Sequence, residues 1–287
     1  MSGTDNGTVV KKHRKLSDSP AFVMFIWLLG LCALWETGAF IVAATKRTPQ
    51  NVLPHFYQII GSIFSTAQVS AGQTALQLVL SNAGATLGRA AVGFIYGTAA
   101  GFVLALLMKI SGIIEKMIFP YLMLIQMIPI LGMAPIVLAV THDIGVSRIV
   151  IAALLTFYPV ATNTLAGLNS VPEEKYELMH SYAARKSTIY AKMLIPSAIP
   201  YFFTGLKIAA PMAITASILV DTLQGDGGLG CMLSQSLKHA MSIYVFWQIV
   251  FFSAFIGVFS CRLIGIIEDI VSPLKRIERK TGRSSEI

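Results

Sequence analysis

Charged residues are scarce in this 287-residue chain, and their scarcity decides its class. Asp, Glu, Lys and Arg make up 13% of the residues, whereas hydrophobic residues make up 55%. An average soluble domain is about 25% charged. The apolar residues fall in blocks of about 20, the length at which a helix crosses a hydrocarbon core of about 30 Å. Strands of alternating polarity are not seen. The sequence therefore excludes an ordinary soluble domain and predicts an all-α membrane protein.

Cysteine and the common catalytic motifs are also rare or missing. The three cysteines have no paired spacing, which excludes a disulfide framework and gives no support to a metal site. The sequence contains no Gly-x-x-x-x-Gly-Lys-Ser/Thr phosphate loop, no His-Glu-x-x-His and no Gly-x-Ser-x-Gly. We therefore expect a non-catalytic chain that binds no metal or cofactor of its own.

Positive charge follows a pattern that reflects membrane topology. The formal net charge is +8, yet Lys and Arg gather at the ends of apolar blocks and do not form the basic face that nucleic acid needs. Six spans are predicted, at about residues 21–44, 84–108, 117–140, 147–168, 200–223 and 243–267. By the positive-inside rule, both termini and the 169–199 segment are cytoplasmic. The predicted organisation is a cytoplasmic tail at 1–20, a transmembrane domain at 21–270 and a basic cytoplasmic tail at 271–287.

The first apolar block superficially resembles a signal peptide. It is longer than the roughly 7 to 15 residues of a signal core and contains Trp35 and Glu36, so we interpret it as an uncleaved anchor. The connection that follows, residues 48–88, carries no charge. We expect short helices there, lying against the outer surface of the helix bundle.

Small residues and prolines indicate how the spans pack. Gly93, Gly97 and Gly101 are spaced four apart, so they stack on one face of the second span. Such stripes let membrane helices approach closely; the alternative is a role in the substrate path. Proline removes a backbone donor, which is tolerated in a membrane only where protein or a watery cavity satisfies the freed carbonyl. Spans three to five are therefore expected to form the core around a path, because they contain Pro120, Pro129, Pro135, Pro159 and Pro211.

A polar, basic stretch separates the fourth and fifth spans. Residues 181–200 read SYAARKSTIYAKMLIPSAIP. Upstream, Pro172 followed by Glu173 and Glu174 is typical of a helix start, and residues 176–194 are expected to be helical with an interrupted apolar face. A helix too polar to cross the bilayer must lie on the membrane surface or dock on another protein. Periodicity alone leaves both possibilities open.

This stretch resembles the cytoplasmic EAA-type loop of the permease subunits of ATP-binding cassette (ABC) importers. In that family a short helix with a small residue pair and a nearby glycine is followed by an apolar residue and two prolines. Here Tyr182-Ala183-Ala184 precedes Ile195-Pro196 and Pro200. The nitrate, sulfonate and taurine branch has glycine where this chain has Ala183. Because a helix tolerates alanine well, this difference bears on the exact geometry of the turn more than on the resemblance to the family. Further matches to that branch follow in order: Leu34-Trp35-Glu36, Thr86-Leu87-Gly88-Arg89, Gly93-Phe94, Ala134-Pro135, Asn163-Thr164, Gly167-Leu168, Gly205-Leu206-Lys207 and Gly227-Gly228-Leu229-Gly230.

The resemblance implies a type I ABC importer permease fold with about six transmembrane helices and a cytoplasmic coupling helix, in the bacterial inner membrane. It implies a dimer with an identical or paralogous permease, a separate ATPase pair that binds ATP and Mg, and an external solute-binding protein. The 171–199 loop would receive the motion of the ATPase, and transport would follow alternating access. Arg185 and Lys186 equally suit a topogenic or lipid-headgroup role. The residues expected at the ATPase contact are Glu177, Ser181, Tyr182, Ala183, Ala184, Arg185 and Lys186.

Polar residues inside the spans are candidates for the substrate path, because polar groups in hydrocarbon are costly without a partner. Gln126 and Asn163 equally suit bridging between helices. Asp221 is expected to be a solvated carboxylate at the outer end of its span, with an outer gate or a cation partner as alternatives. Arg89 and Lys207 are expected to snorkel from span ends. The full set of path candidates is Gln126, Met127, Asn163, Thr164, Thr215 and Asp221.

The solute is less well defined. The branch that this chain resembles handles sulfonates, nitrate or taurine, and also pyrimidine precursors and riboflavin-like compounds. No conspicuous Lys or Arg is expected at mid-depth in a span, which favours a neutral or weakly charged organic solute. A stand-alone secondary transporter or channel is the alternative function. Against it, the two halves show no matching pair of broken segments and no filter sequence.

Overall fold

Long apolar helices dominate the fold. The computed structural model describes residues 20–70, 72–224, 227–238 and 242–272. Among these residues, five helices are long and apolar enough to cross a membrane, or six if the bent pair Gly112–Met127 and Gly132–Thr141 is one span. The elements in chain order are α1 (Pro20–Thr45), a 3₁₀ turn (Pro49–Asn51), α2 (Phe56–Ile63), β1 (Gln68–Ser70), β2 (Gln73–Thr74), α3 (Ala75–Ile110), α4 (Gly112–Met127), α5 (Ile130–Thr141), α6 (Ile144–Asn169), α7 (Glu173–Ser181), α8 (Lys186–Ile189), a π-turn (Tyr190–Leu194), α9 (Ile195–Gln224), α10 (Leu229–Leu237) and α11 (Ile243–Val271). The predicted all-α membrane fold is confirmed, whereas most of the two predicted tails, residues 1–19 and 273–287, lies outside the described residues.

Residues up to Phe64 form one compact unit, and the chain from Ser65 forms another. In the first unit, polar groups of α1 hold the chain that follows it. The Trp35 indole nitrogen donates to the Pro54 carbonyl at 3.1 Å. The Glu36 carboxylate accepts from the Phe56 amide at 2.8 Å and contacts His55 Nδ1 at 2.7 Å. A carboxylate at the first turn of α2 satisfies otherwise unpaired amides and complements the helix dipole.

The second unit opens with a short hairpin, in which Gln68 pairs with Thr74 and Ser70 with Gln73. Helix α3 then begins at Ala75, nine residues before the predicted start of the second span. Thr74 Oγ1 accepts from the Gln77 amide at 3.3 Å, and the Gln77 side chain accepts from the Thr74 amide at 3.1 Å. This capping box fixes the helix start. The predicted connection, residues 48–88, was therefore too long, since α3 begins directly after Thr74; the short helices expected in it are the 3₁₀ turn and α2.

The third predicted span, 117–140, is not one straight helix. Helices α4 and α5 meet at an angle of 108°. The break lies at Ile128 and Pro129, whose backbones are extended, with ψ angles of 124° and 122°. Proline disfavours the helical conformation for the residue before it and removes a backbone donor. Pro120 and Pro135, by contrast, lie inside α4 and α5.

The core of the second unit is formed where α6 packs between α3 and α9. A Cβ added to Gly93 would lie 2.8 Å from the Ile149 carbonyl oxygen, and one added to Gly101 would lie 2.5 Å from the Phe157 carbonyl oxygen. Gly97 lies between them on the same buried face, against Thr156. Backbones this close leave no room for a side chain, so the glycine stripe sets the distance between α3 and α6. Helix α11 packs on α9, and α10 fills the space between α9 and α11.

Candidate functional site

The polar segment after α6 is a short helix followed by a tight left-handed turn. Helix α7 ends at Ser181, and Ala183 has a φ angle of +50°. The Ala183 amide donates to the His180 carbonyl at 2.8 Å, and the Ala184 amide donates to the Met179 carbonyl at 3.0 Å. These two bonds define a Schellman motif, the common way to end a helix. The expectation of an unbroken helix over residues 176–194 was wrong, because the chain reverses its backbone hand at Ala183.

The expectation that Ala183 lies in a helix, where alanine is well tolerated, was also wrong. Ala183 occupies the left-handed position after the helix cap, where its Cβ comes close to the following carbonyl oxygen. That conformation costs a non-glycine residue about 1–2 kcal/mol. A turn of this kind favours glycine, the residue that the resembling family has at this position, and this chain forms the turn with alanine.

The expected coupling residues lie mostly on the surface. Six of the seven are exposed, namely Glu177, Ser181, Tyr182, Ala183, Arg185 and Lys186. Tyr182 is 77% exposed and Leu178 is 56% exposed, so an aromatic and an aliphatic side chain project from a charged helix. The other side of the segment is anchored, since Tyr176, Met179 and Ala184 pack against a buried apolar cluster that includes Leu168 and Ile189.

Polar contacts tie this segment to the ends of two spans. Lys109, near the end of α3, places Nζ 2.8 Å from Oδ1 of Asn169, the last residue of α6. The same Nζ lies 5.7 Å from the centre of the Tyr176 ring, a cation–π distance. The Tyr190 hydroxyl donates to the Lys109 carbonyl at 3.2 Å. The turn therefore has one exposed side and one side fixed to α3 and α6.

Beyond the turn, the helix continues without interruption into the fifth span. Helix α8, the π-turn and α9 run from Lys186 to Gln224. The Ile195 amide donates to the Tyr190 carbonyl, a bond over five residues that widens the helix locally. Pro196 follows at once and has no amide to donate, which is a physical reason for the wider turn at this place. The segment after Ala183 and the far end of α9 therefore belong to one helix.

A cluster of buried charges lies at that far end. Asp221 is completely buried, and its Oδ1 lies 2.9 Å from Nε of Arg148, which is 1% exposed. Arg89 Nη2 reaches the same oxygen at 3.4 Å, and the Thr86 hydroxyl donates to Oδ2 at 2.7 Å. Two guanidinium groups and one carboxylate thus share the site. The expectation of a solvated Asp221 was wrong, and Arg148, at the start of the fourth predicted span, lies buried in α6.

The same cluster holds the turn that leads into α10. The Gly228 amide donates to the Asn82 side chain at 3.1 Å, and the Leu229 amide donates to the Thr86 hydroxyl at 2.9 Å. Gly227 and Gly228 have φ angles of +71° and +92°, which favour glycine. Helices α3, α6 and α9 and the start of α10 are therefore joined through Asp221 and its partners. Buried charges persist where such partners satisfy them.

The remaining path candidates do not gather into one site among the described residues. Gln126 and Met127 lie exposed at the end of α4, and Met127 is 77% exposed. Asn163 donates to the Pro159 carbonyl of its own helix at 2.7 Å. Thr164 is completely buried, and its hydroxyl has no partner in the described part of the chain.

Thr215 lines a groove of about 910 Å³ between α9 and α11. Charged side chains line one end of it, where Lys207 forms an ion pair with Glu268, which is 2% exposed. Arg262 also lines the groove and is exposed. Lys207 is therefore paired within the protein, and Arg262 is a cation inside the sixth predicted span. It lies five residues before the predicted end of that span, so the expectation of no conspicuous Lys or Arg at mid-depth stays a prediction.

Known proteins resemble this chain over most of its length. It is 28% identical to the formylaminopyrimidine transport permease protein ThiX of Halalkalibacterium halodurans over 252 residues, which cover 88% of this chain and 95% of the relative. It is 26% identical to the nitrate import permease protein NrtB of Synechococcus elongatus over 250 residues, 85% of this chain and 87% of the relative. A putative aliphatic sulfonates transport permease protein, SsuC of Bacillus subtilis, is 24% identical over 253 residues, 84% of this chain and 86% of the relative.

Solved structures share the fold of about two thirds of this chain. A crystal structure of an amino acid ABC transporter with histidines matches with a TM-score of 0.58 at 19% identity, covering 68% of this chain and 95% of that chain. An inward-facing MetNI methionine ABC transporter matches with the same TM-score at 17% identity, covering 69% and 96%.

The family model described as binding-protein-dependent transport system inner membrane component matches residues 97–276, well over half of the chain. The predicted resemblance is confirmed by this match and by the ABC permeases among the relatives. The chain therefore belongs to the binding-protein-dependent transport system inner membrane component family, as a multi-pass ABC importer permease of the nitrate- and sulfonate-like branch.

Proposed function

We propose that this chain moves a small organic solute inward by alternating access, driven by a separate ATPase that contacts residues 171–199. The observation that carries the proposal is the exposed turn after α7, which is joined by unbroken helix to Asp221. From Lys186 to Asp221 the helix covers 35 steps, or about 50 Å at 1.5 Å per residue. A displacement of the turn would therefore reach the charge cluster at the opposite end of α9.

The two sides of the turn suit this role differently. The exposed side offers acidic residues before the turn and Arg185 and Lys186 after it, with Tyr182 between them. We propose that a cleft of the ATPase, with complementary charges and an apolar pocket for Tyr182, receives this side. The anchored side, through Lys109 and Tyr176, would pass the motion to α3 and α6 as well. Rocking of packed spans is a known way to alternate access.

The assembly follows from the family. We propose a second permease subunit, identical or paralogous, an ATPase pair that binds ATP and Mg, and an external solute-binding protein that delivers the solute. Both termini would lie on the cytoplasmic side of a bacterial inner membrane, as the distribution of Lys and Arg predicts. The chain itself would have no catalytic role.

The solute class is proposed from the relatives. Their names specify formylaminopyrimidine, nitrate and aliphatic sulfonates, and a further relative is named a riboflavin transport system permease protein. We propose a solute of the sulfonate, nitrate or taurine class or of the pyrimidine-precursor or riboflavin-like class. Thermal-shift screening of the cognate binding protein against these compounds tests the choice, and stabilisation only by an unrelated solute would contradict it.

The test of coupling is substitution of Ala183 and Ala184 by glutamate together. Ala183 is exposed and Ala184 half-buried, so two larger charged side chains should obstruct docking while the spans still insert. We expect ATP hydrolysis by the assembled complex to persist and uptake to fall to background. Thr66→Glu with Ala67→Glu, also at exposed residues, is the matched control and should transport normally.

Two results would count against the proposal. Normal uptake by an inserted Ala183→Glu, Ala184→Glu variant would remove the docking assignment. Vanadate-insensitive uptake by this chain reconstituted alone would instead support the stand-alone transporter.

A further inference from the structure

The connection after α1 folds back along α1. Its residues Pro54 and His55, and Phe56 at the start of α2, are held by the side chains of Trp35 and Glu36. These two side chains belong to the second half of α1 and not to its end. The start of α2 therefore lies beside α1, at the depth of Glu36.

The length of α1 fixes that depth in the membrane. Its 26 residues extend about 39 Å, about 9 Å more than a hydrocarbon core of about 30 Å. Glu36 lies nine residues, or about 14 Å, before the last residue, Thr45. Even if the whole excess projects at the Thr45 end, Glu36 lies about 5 Å inside the hydrocarbon, and a tilt of α1 places it deeper. The start of α2 is therefore at the membrane boundary and not in the water beyond it.

The backbone of the turn before α2 is hydrogen-bonded as this depth requires. Hydrocarbon offers no hydrogen-bond partner, so non-helical backbone at membrane depth needs partners within the protein. Every backbone amide of residues 53–56 that can donate has one: the Pro49 carbonyl for Leu53 at 3.0 Å, the Gln58 side chain for His55 at 3.2 Å and the Glu36 carboxylate for Phe56 at 2.8 Å. The same bonds satisfy the carboxylate, which would be costly alone at this depth.

The exposed face of α2 is apolar. Tyr57 is 67% exposed, Ile60 is 42% exposed and Phe64, the residue directly after α2, is 81% exposed. Their spacing of three and four residues places them on one face. The helix contains no charged residue, and tyrosine is enriched where a membrane meets water. The exposed face of α2 therefore suits lipid at the depth that α1 sets.

We infer that α2 lies in the boundary region of the leaflet in which α1 ends, with the face of Tyr57, Ile60 and Phe64 bound to lipid. In the topology proposed above, this is the external leaflet. Trp35 and Glu36 hold α2 at this depth and are therefore positioning residues. A water-soluble partner does not reach this depth, so only lipid or another protein segment within the membrane can cover the face.

Collision measurements on the spin-labelled full chain in phosphatidylcholine nanodiscs test the inference. The three cysteines are replaced by alanine, and one label at a time is attached at Phe64→Cys, Leu31→Cys or Thr48→Cys. Leu31, 64% exposed within α1, is the lipid reference, and Thr48, exposed beyond the end of α1, is the water reference. Oxygen concentrates in hydrocarbon, whereas a nickel chelate stays in water. The ratio of oxygen to nickel collisions at residue 64 should be several-fold higher than at residue 48 and close to that at residue 31.

Glu36→Ala tests the positioning role. It removes the acceptor of the Phe56 amide, so α2 should leave the boundary and the collision ratio at residue 64 should fall toward that at residue 48. Glu36→Gln keeps an oxygen acceptor and should retain most of the ratio. The label at residue 31 should be unaffected by both substitutions, because α1 still spans the membrane. An unchanged ratio at residue 64 in Glu36→Ala would overturn the positioning role.

Two results at residue 64 would overturn the lipid contact itself. A collision ratio as low as at residue 48 would place α2 in water. Few collisions with either reagent would show that protein covers the face, either the rest of this chain or a second copy.

A tryptophan measurement keeps the test decisive if the cysteine-free chain does not fold. In the chain with its natural cysteines, the emission added by Phe64→Trp should be quenched by phosphatidylcholine brominated in the upper part of its acyl chains. The emission added by Thr48→Trp should be quenched less, and equal quenching of the two would overturn the inference.

Discussion

Replacing Ala183 with glycine should stabilise the turn after α7. In the left-handed conformation, at a φ angle of +50°, an alanine costs about 1–2 kcal/mol that glycine does not. Glycine gains more freedom in the unfolded chain, which offsets about 0.4–1 kcal/mol of this. The net local stabilisation of Ala183→Gly is therefore about 0.5–1 kcal/mol.

Hydrogen exchange of the full chain in detergent measures this effect where it occurs. The amides of Ala183 and Ala184 close the Schellman motif on His180 and Met179, so their exchange reports opening of the turn. A gain of 0.5–1 kcal/mol should slow their exchange about two- to fivefold, since 1.4 kcal/mol corresponds to tenfold. Peptides from α3 and α6 should show no change.

Ala184→Gly is the matched control, one residue further on. Ala184 has no positive φ angle and packs against the buried cluster beneath α7. Glycine there relieves no strain, adds freedom to the unfolded chain and removes a packed methyl group, so exchange should become faster. Equal exchange in Ala183→Gly and the unsubstituted chain, or the same response to both glycine substitutions, would refute the reasoning.

The charge cluster and the contact between α3 and α6 each give a further prediction. Asp221→Leu should lower the melting temperature of the purified chain by roughly 10 °C, because it leaves the buried Arg148 without its carboxylate; such a loss costs about 3–5 kcal/mol, and each kcal/mol shifts the melting temperature by roughly 2–4 °C. Adding Arg148→Met should restore part of this loss; a double variant less stable than Asp221→Leu would contradict the pairing. Gly97→Ala should also lower the melting temperature, because an added Cβ would lie 2.6 Å from the Ala153 carbonyl oxygen. Gly88→Ala should leave the melting temperature unchanged, because nothing lies within 4 Å of the added Cβ. Equal effects of Gly97→Ala and Gly88→Ala on the melting temperature would exclude a close contact at Gly97.

Hydropathy predicted most of the spans because it measures the property that lets a helix cross a membrane. Helix α11 begins at Ile243, the predicted first residue, and α6 ends at Asn169, one residue after the predicted end. The start of α3 was missed because its first turns contain polar residues. Ser81 Oγ and Asn82 Nδ2 donate to the Leu78 carbonyl at 3.0 and 2.9 Å, so these residues are compatible with a helix although their hydropathy is low.

The turn at Ala183 could not be predicted from the residue itself. A left-handed helix end is usually signalled by glycine, and the chain has alanine there. Only the resemblance to a family with glycine at this position contained the signal, and that signal was attributed to a helical residue. The break in the third span, in contrast, was visible as Pro129, but proline inside a membrane helix is compatible with both a kink and a break, as Pro120 and Pro135 show.

The buried charges show why single residues are misjudged in membrane sequences. Arg89 was expected to snorkel and Asp221 to be solvated, because an isolated charge at the centre of a membrane helix costs about 2.5–3.5 kcal/mol; Arg148 was given no role. That cost applies to one charge alone, and here each guanidinium meets the same carboxylate, at 2.9 and 3.4 Å. All three had been placed near the external ends of three different spans, at similar depth. One acid and two bases at matching depth on separate helices predict an ion cluster when the spans are compared with each other, although no span predicts it by itself.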